Sequence, residues 1–262
     1  MPGHTEDHSE PSATSRARWG KLSRSAADQS FLAGPQRRLS DLFRAIAIFF
    51  EFLRGFRALH FVGPCVTVFG SARFGEDNHY YRLARELGAK LTEAGFAVMT
   101  GGGPGIMEAA NRGAMEAGGF TLGCNIKLPV EQQPNRYLHK WIEFKHFFVR
   151  KVMLVKYSSA FVALPGGYGT LDEIFETLTL IQTKKISSFP LILMGRDFWA
   201  PLIEFIEARL LSNATIAEVD RDLFLVTDSP EEAAQHIREV AIRSFGFQEV
   251  TRDKPRWYLF ER

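Results

Sequence analysis

From Cys65 onward, short unbroken apolar runs alternate with longer segments whose apolar residues recur every three or four positions. The unbroken runs are Cys65 to Gly70, Phe96 to Thr100, Phe120 to Ile126, Trp141 to Phe144, Ala160 to Leu164, Pro190 to Met194 and Leu223 to Thr227. Runs of this kind suit strands covered on both faces, as in a parallel sheet. The periodic segments predict helices over Tyr81 to Ala94, Ile106 to Ala117, Phe147 to Val155, Leu171 to Ile181, Phe198 to Leu211 and Ser229 to Ser244. Gly95 ends the first of these, and Ser229-Pro230-Glu231 starts the last with proline in its first turn. Strand–helix alternation predicts an α/β fold: a doubly wound, mostly parallel sheet with helices on both faces and right-handed crossovers.

Ahead of this pattern lies Leu39 to Phe61, the most apolar long segment, with Leu42, Ile46, Phe49, Phe50 and Leu53 at helical spacing. Arg44, Glu51, Arg54 and Arg57 interrupt it, which argues against a membrane span. It is expected to be an extra N-terminal amphipathic helix packed on the domain or on a second subunit, with membrane-surface attachment as the other reading. Residues 1 to about 37 are polar and Ser/Ala-rich and read as a disordered tail. The expected division is tail 1–37, helix 38–62, an α/β domain over 63–246 and a C-terminal tail 247–262.

Composition narrows the function classes. The 262 residues are 45% hydrophobic with a net charge of +2, which fits one cored domain and gives no argument for a nucleic-acid or anionic-membrane partner. The 2 cysteines, Cys65 and Cys124, fall inside strand-like runs and read as buried reduced thiols. No metal-ligand spacing occurs among them and the 7 scattered histidines. The N-terminus lacks the apolar core of a signal peptide, which predicts a cytoplasmic protein.

Glycine-bearing turns follow three of the predicted strands. The first, Gly70-Ser71-Ala72-Arg73-Phe74-Gly75, has Walker A spacing, but Glu76-Asp77 stand where Lys-Ser/Thr is required, so it is no triphosphate loop. The second, Gly101-Gly102-Gly103-Pro104-Gly105-Ile106, places Ile106 at the third glycine of G-x-G-x-x-G, which leaves a dinucleotide site unsupported. The third is Pro165-Gly166-Gly167-Tyr168-Gly169-Thr170 ahead of Leu171-Asp172-Glu173. Glycines let backbone amides approach a ligand, and a helix N-terminus favours an anion. All three turns lie at the carboxyl ends of strands, where doubly wound sheets bind ligands. They are expected to converge on one crevice holding a nucleotide-like or sugar-phosphate ligand.

The candidate inventory there is Glu173, Arg150, Lys151, Glu108, Ser71 and Thr170, with Gly70, Gly101, Gly102, Gly103, Gly166, Gly167, Tyr168 and Gly169 lending backbone. No Ser-His-Asp or Cys-His set can be assembled near the turns. One carboxylate beside an anion cradle suits bond cleavage through an oxocarbenium-like transition state. Arg150 would position that carboxylate, the phosphate or the leaving base.

The stretch from Pro165 to Glu173 resembles the PGGxGTxxE signature of the LOG family, the cytokinin riboside 5′-monophosphate phosphoribohydrolases. Arg150-Lys151 is similar to the Arg-Lys pair that precedes it there, and Gly70-Ser71 and Gly101-Gly102-Gly103 match that family's earlier turns. The resemblance spans about Cys65 to Val240. It implies a Rossmann-like domain that hydrolyses the N-glycosidic bond of AMP or an N6-modified AMP to free base and ribose 5-phosphate, with no metal and no cofactor. It makes Arg150 and Glu173 the catalytic pair and Gly166 to Thr170 the phosphate site. It also implies a homodimer or higher homo-oligomer built partly from the helices beside the site. The chain departs from short members in its tail, its Leu39 to Phe61 helix and Phe147-Phe148-Val149, which border the base pocket. The label "lysine decarboxylase" used for such proteins needs a pyridoxal-phosphate lysine, for which no motif is present. A reading from another class is a carrier on the same fold, similar to molybdenum-cofactor carrier proteins, that holds a phosphorylated ligand without turnover.

Overall fold

The computed structural model describes residue 34, residues 38–127 and residues 133–245, so the two expected tails lie outside the described residues apart from residue 34. The apolar runs become β1 (Cys65–Phe69), β2 (Ala97–Thr100), β3 (Thr121–Ile126), β4 (Lys140–Phe144), β5 (Ala160–Ala163), β6 (Leu191–Met194) and β7 (Leu225–Thr227). They form one 7-stranded sheet in the order β4-β3-β2-β1-β5-β6-β7. Every pairing between neighbours is parallel. The helices are α1 (Arg38–Leu59), α2 (His79–Glu93), α3 (Ile106–Glu116), α4 (Phe147–Tyr157), α5 (Tyr168–Gln182), α6 (Arg196–Phe205) and α7 (Pro230–Phe245). The expected single helix from Phe198 to Leu211 is α6 followed by a π-helical segment, Ile206–Leu211. The last strand starts later than Leu223 because a 3₁₀ turn, Glu218–Asp222, precedes it.

The strand runs are unbroken because both faces are covered. Val66, Val98 and Val162 meet Leu87, Ala110 and Ile237 of α2, α3 and α7. Their strand neighbours Cys65, Met99 and Phe161 face the other way, among Met153, Ile174 and Trp199 of α4, α5 and α6. Alternation with period two is present but hidden, since each side enters a core. Both cysteines are free and fully buried. Burial pushes the Cys124 thiol up to about 12, and the Cys65 thiol higher still.

Helix α1 meets its own domain through a face other than its apolar stripe: Leu42, Ile46, Phe49, Phe50 and Leu53 are 40–61% exposed. The buried positions are Glu51, Gly55 and Leu59, flanked by partly buried Ile48, Phe52, Phe56 and Ala58. A helix apolar on most sides has no unique stripe, so close approach decides the face. A Cβ on Gly55 would lie 2.9 Å from Met153 Sδ and 3.0 Å from Phe144 Cε1, so glycine lets α1 settle onto α4 and β4. Arg54 donates to the Glu143 carbonyl, Lys140 to that of Ala58, and Tyr157 Oη to that of Phe56 at 3.3 Å. Among the described residues no helix is long and apolar enough to cross a membrane.

Helices α2 and α3 also meet at glycines. A Cβ on Gly113 would sit 1.7 Å from the Arg85 carbonyl oxygen, and one on Gly88 2.1 Å from that of Ala110. The small-residue face of α3 thus serves α2 as well as the sheet. Gly113→Ala gains about 1 kcal/mol of helix propensity but overpacks rigid backbone, which costs about 1–3 kcal/mol or more. Net destabilisation is expected in urea unfolding; equal or higher stability would mean that the two helices separate freely.

Candidate active site at the switch point

The chain runs outward from β1 through β2, β3 and β4, then returns to lay β5 against the free side of β1. Strand order therefore reverses between β1 and β5, and the turns that leave them lie side by side, with the β2 turn adjacent. The backbone of Ser71 joins all three. Its N–H donates to Pro165 O at 2.9 Å, and its carbonyl accepts from Ile106 N at 3.0 Å. Leu164 N also donates to Phe69 O at 2.9 Å.

Glycine is required where these turns touch. A Cβ on Gly70 would fall 2.4 Å from Ile106 Cγ2, and one on Gly105 (φ +72°) 2.4 Å from Ser71 O. Gly102 (φ +71°) lies under the Trp141 ring, which would be 2.1 Å from a Cβ, while one on Gly101 would be 2.8 Å from Met107 Sδ. Gly166 faces Thr170 Oγ1 at 2.1 Å by the same construction. Gly167 and Gly169 differ: nothing lies within 4 Å of a Cβ there, and both are exposed. No internal contact asks for glycine at these two positions. Gly167 is the N-cap of α5 without a side-chain cap bond. Its carbonyl takes the amides of Thr170 and Leu171. The amides ahead of Thr170 are those a helix leaves without intrahelical acceptors.

One turn into α5, Glu173 is 2% exposed and Arg150 Nη2 of α4 donates to its Oε1 at 3.1 Å. Glu173 Oε2 and Arg150 Nε are buried without a hydrogen-bond partner. Burial pushes the Glu173 carboxyl above the ordinary 4.5; Arg150 and then Lys151 oppose this, while Glu176 and Asp172 add to it. Phe147 lies beneath the guanidinium, 4.8 Å from ring centroid to Cζ. On α5, Ile174 is buried and Leu171, Leu178 and Ile181 are partly buried against the core, but Phe175 is 39% exposed while Thr170, Glu173 and Thr177 are buried.

The remaining candidates separate. Lys151 Nζ lies 2.8 Å from Asp172 Oδ2 and 2.5 Å from Glu176 Oε2 of α5, beside the Arg150–Glu173 pair. Burial lowers its affinity for a proton, but the two carboxylates raise it more, and the net shift is upward. Ser71 Oγ accepts from Arg73 N at 3.1 Å within its own turn. The Tyr168 side chain is 92% exposed. Glu108 accepts from Tyr81 Oη at 3.0 Å, a bond that ties it to α2. Sequence reasoning missed Asn135, which bolts the β2 turn. Its N–H donates to Gly102 O at 2.9 Å and its Nδ2 to Gly103 O and Asn111 Oδ1, both at 3.1 Å. Asn111 Oδ1 also takes Thr100 Oγ1 at 2.6 Å. Asn135 stands in a stretch without periodicity, and only its Asn type, suited to bonding turn backbone, signals it. Among the described residues no group of three or more His, Cys, Asp or Glu is arranged to hold a metal ion.

Comparison with known proteins places the chain in a family. The sequence model of a family described as "Possible lysine decarboxylase" matches residues 107–237. The cytokinin riboside 5′-monophosphate phosphoribohydrolase LOG of Oryza sativa subsp. japonica is 30% identical over 191 residues, covering 71% of this chain and 76% of its own. The cytokinin riboside 5′-monophosphate phosphoribohydrolase of Rhodococcoides fascians is 30% identical over 146 residues, 54% of this chain and 73% of that one. The molybdenum cofactor carrier protein of Chlamydomonas reinhardtii superposes with a TM-score of 0.52 at 24% identity, over 68% of this chain and 97% of its own, a likeness of fold alone. The chain belongs to the LOG family.

Proposed function

We propose that this chain is a nucleoside 5′-monophosphate phosphoribohydrolase, cleaving the N-glycosidic bond of AMP or an N6-modified AMP to free base and ribose 5-phosphate. The observation that carries the reading is the buried Glu173 carboxylate, held by Arg150 on one oxygen and unpartnered on the other, one turn beyond an open glycine lip. The amides of Gly167, Tyr168 and Gly169 bind the 5′-phosphate, where the dipole of α5 favours an anion. As the bond from C1′ to the base breaks, positive charge develops on the sugar; ionised Glu173 offsets it and takes a proton from the attacking water. The leaving base carries away the bonding pair and, in net, gains the proton that Glu173 removed from water, so water's oxygen ends on C1′. Gly70, Ser71 and the Gly101 to Gly103 turn bound the crevice, and Glu108 supports the α3 side through Tyr81.

The pyridoxal-phosphate chemistry implied by the family's description does not fit these residues. A Schiff-base lysine needs a depressed pKa. Lys151, the lysine beside the turns, is held as a cation between Asp172 and Glu176 with its pKa raised.

Self-association accompanies the reading. Leu42, Phe43, Phe49 and Phe50 of α1, with Phe147, Phe148 and Val152 of α4 and Phe175 of α5, leave 36–69% of each residue uncovered. An apolar surface of this extent supports an interface between copies. Light scattering is expected to give a dimer or larger species; a monomer at tens of micromolar, about the range where weak interfaces assemble, contradicts self-association.

Incubation with AMP or isopentenyladenosine monophosphate is expected to release free base. Tight binding without release would favour the carrier reading. Glu173→Gln keeps volume but not charge, and kcat is expected to fall about a thousandfold with the fold intact; undiminished turnover removes Glu173 from the mechanism. The acid limb of kcat/KM is expected above the ordinary glutamate value of 4.5, because burial raises the Glu173 pKa and activity is lost as pH falls through it. Arg150 lowers that pKa, so Arg150→Ala is expected to shift the limb further up; a downward shift would mean that the limb belongs to another group.

A further inference from the structure

We propose that Glu51 of α1 is a positioning residue for Arg150, acting through the first turn of α4; this deepens the reading above and rests on Arg150 holding Glu173. Helix α4 lacks two devices that commonly start a helix. Its N-cap, His146, makes no side-chain cap bond, and its first turn carries no acidic residue. Glu51, distant in sequence, supplies both. Its Oε1 accepts the N–H of Lys145 and, at 3.3 Å, that of His146, while its Oε2 accepts from His146 Nδ1 at 2.6 Å. The Glu51 and His146 side chains are each 7% exposed, so water competes little for these bonds. A carboxylate in this place satisfies orphan amides and is favoured by the helix dipole.

The grip passes to Arg150 in one turn. The His146 carbonyl receives the amide of Arg150 at 3.3 Å. Phe147, the next residue, lies under the guanidinium. Fixing His146 by ring and amide therefore fixes the rotation of the turn that presents Arg150 to Glu173 Oε1. Packing of α1 does not by itself call for the carboxylate, because Gly55 and Leu59 already supply buried contact. Glu51 faces inward on a helix where Phe49, Phe50 and Leu53 face water.

The test uses the full chain. Glu51→Ala is expected to lower kcat for base release from AMP about 10- to 100-fold with KM within about twofold, because misplacement of a transition-state group affects kcat. Glu51→Gln retains an oxygen acceptor for the two amides and is expected to stay within about threefold of wild-type kcat. Arg54→Ala removes a different bond of α1, to the Glu143 carbonyl, and is expected to lower the melting temperature without lowering kcat. A Glu51→Ala kcat within about threefold of wild type, or an equal loss in Arg54→Ala, overturns the proposal. A second readout needs no chemistry: the ¹H–¹⁵N signal of Arg150 Nε–H, assigned with Arg150→Lys. It is expected to move in Glu51→Ala and to hold its place in Glu51→Gln; an unmoved signal in Glu51→Ala overturns the proposal. If wild type releases no base, the reading under Proposed function fails and this signal alone decides Glu51. Should Glu51→Ala not fold, Glu51→Asp, which withdraws the carboxylate by one methylene, is held to the same criteria.

Discussion

The backbone of Ser71 gives one hydrogen bond to the β5 turn and takes one from the first residue of α3, and the three glycine turns are held together because both are made. The reversal of strand order puts β1 beside β5, but it does not set the spacing between their turns. That spacing comes from main-chain bonds about 3 Å long, which leave no room for a Cβ on Gly70 or Gly105. The amino acid at 71 matters less than its backbone, since its hydroxyl is used locally by Arg73. Residues delivered by β1, β2 and β5 are thereby held in one frame.

Within that frame the energetics run against stability. Glu173 is almost wholly buried, and Arg150 and then Lys151 oppose a desolvation effect that remains dominant. The folded state therefore binds its proton more tightly than the unfolded chain does. Its contribution to stability is present below the unfolded carboxylate pKa and is lost as pH rises through the higher folded value. At neutral pH an ionised Glu173 lowers stability. The surrounding cations serve unequally: Arg150 touches the carboxylate, whereas Lys151 is committed to Asp172 and Glu176.

Much of this was legible in the sequence. Each β-strand and α-helix of the sheet domain could be found from run length and periodicity, because parallel strands covered on both faces read as unbroken apolar runs, whereas the π-helical Ile206–Leu211 segment and the 3₁₀ turn at Glu218–Asp222 could not. Glycines at strand ends marked the turns for the same local reason. What escaped was decided by tertiary contact. Phe175 fits the helical stripe but lies outside, because the buried side of α5 is taken by Thr170, Glu173 and Thr177. The face of α1 that meets its own domain was not legible because Phe49 and Phe50 look like anchors, while that contact is made by Gly55 and a charged Glu51. Asn135 sits where no period exists to mark it. In each case a polar or glycine residue is buried by a partner far along the chain, and spacing along one segment carries no record of that partner.

The pairing of β1 with β5 also bears on how the molecule is made. Val66 pairs with Ala160, so the strand at the centre of the sheet has one edge unclosed until nearly a hundred residues more have been synthesised. During that interval β1 through β4 can pair with one another while the far edge of β1 presents bare amides and carbonyls flanked by apolar side chains. Edges of this kind recruit other chains, and non-local parallel pairing closes slowly. The arrangement that gathers the three glycine turns therefore makes the nascent chain most prone to aggregate just before β5 closes the edge of β1.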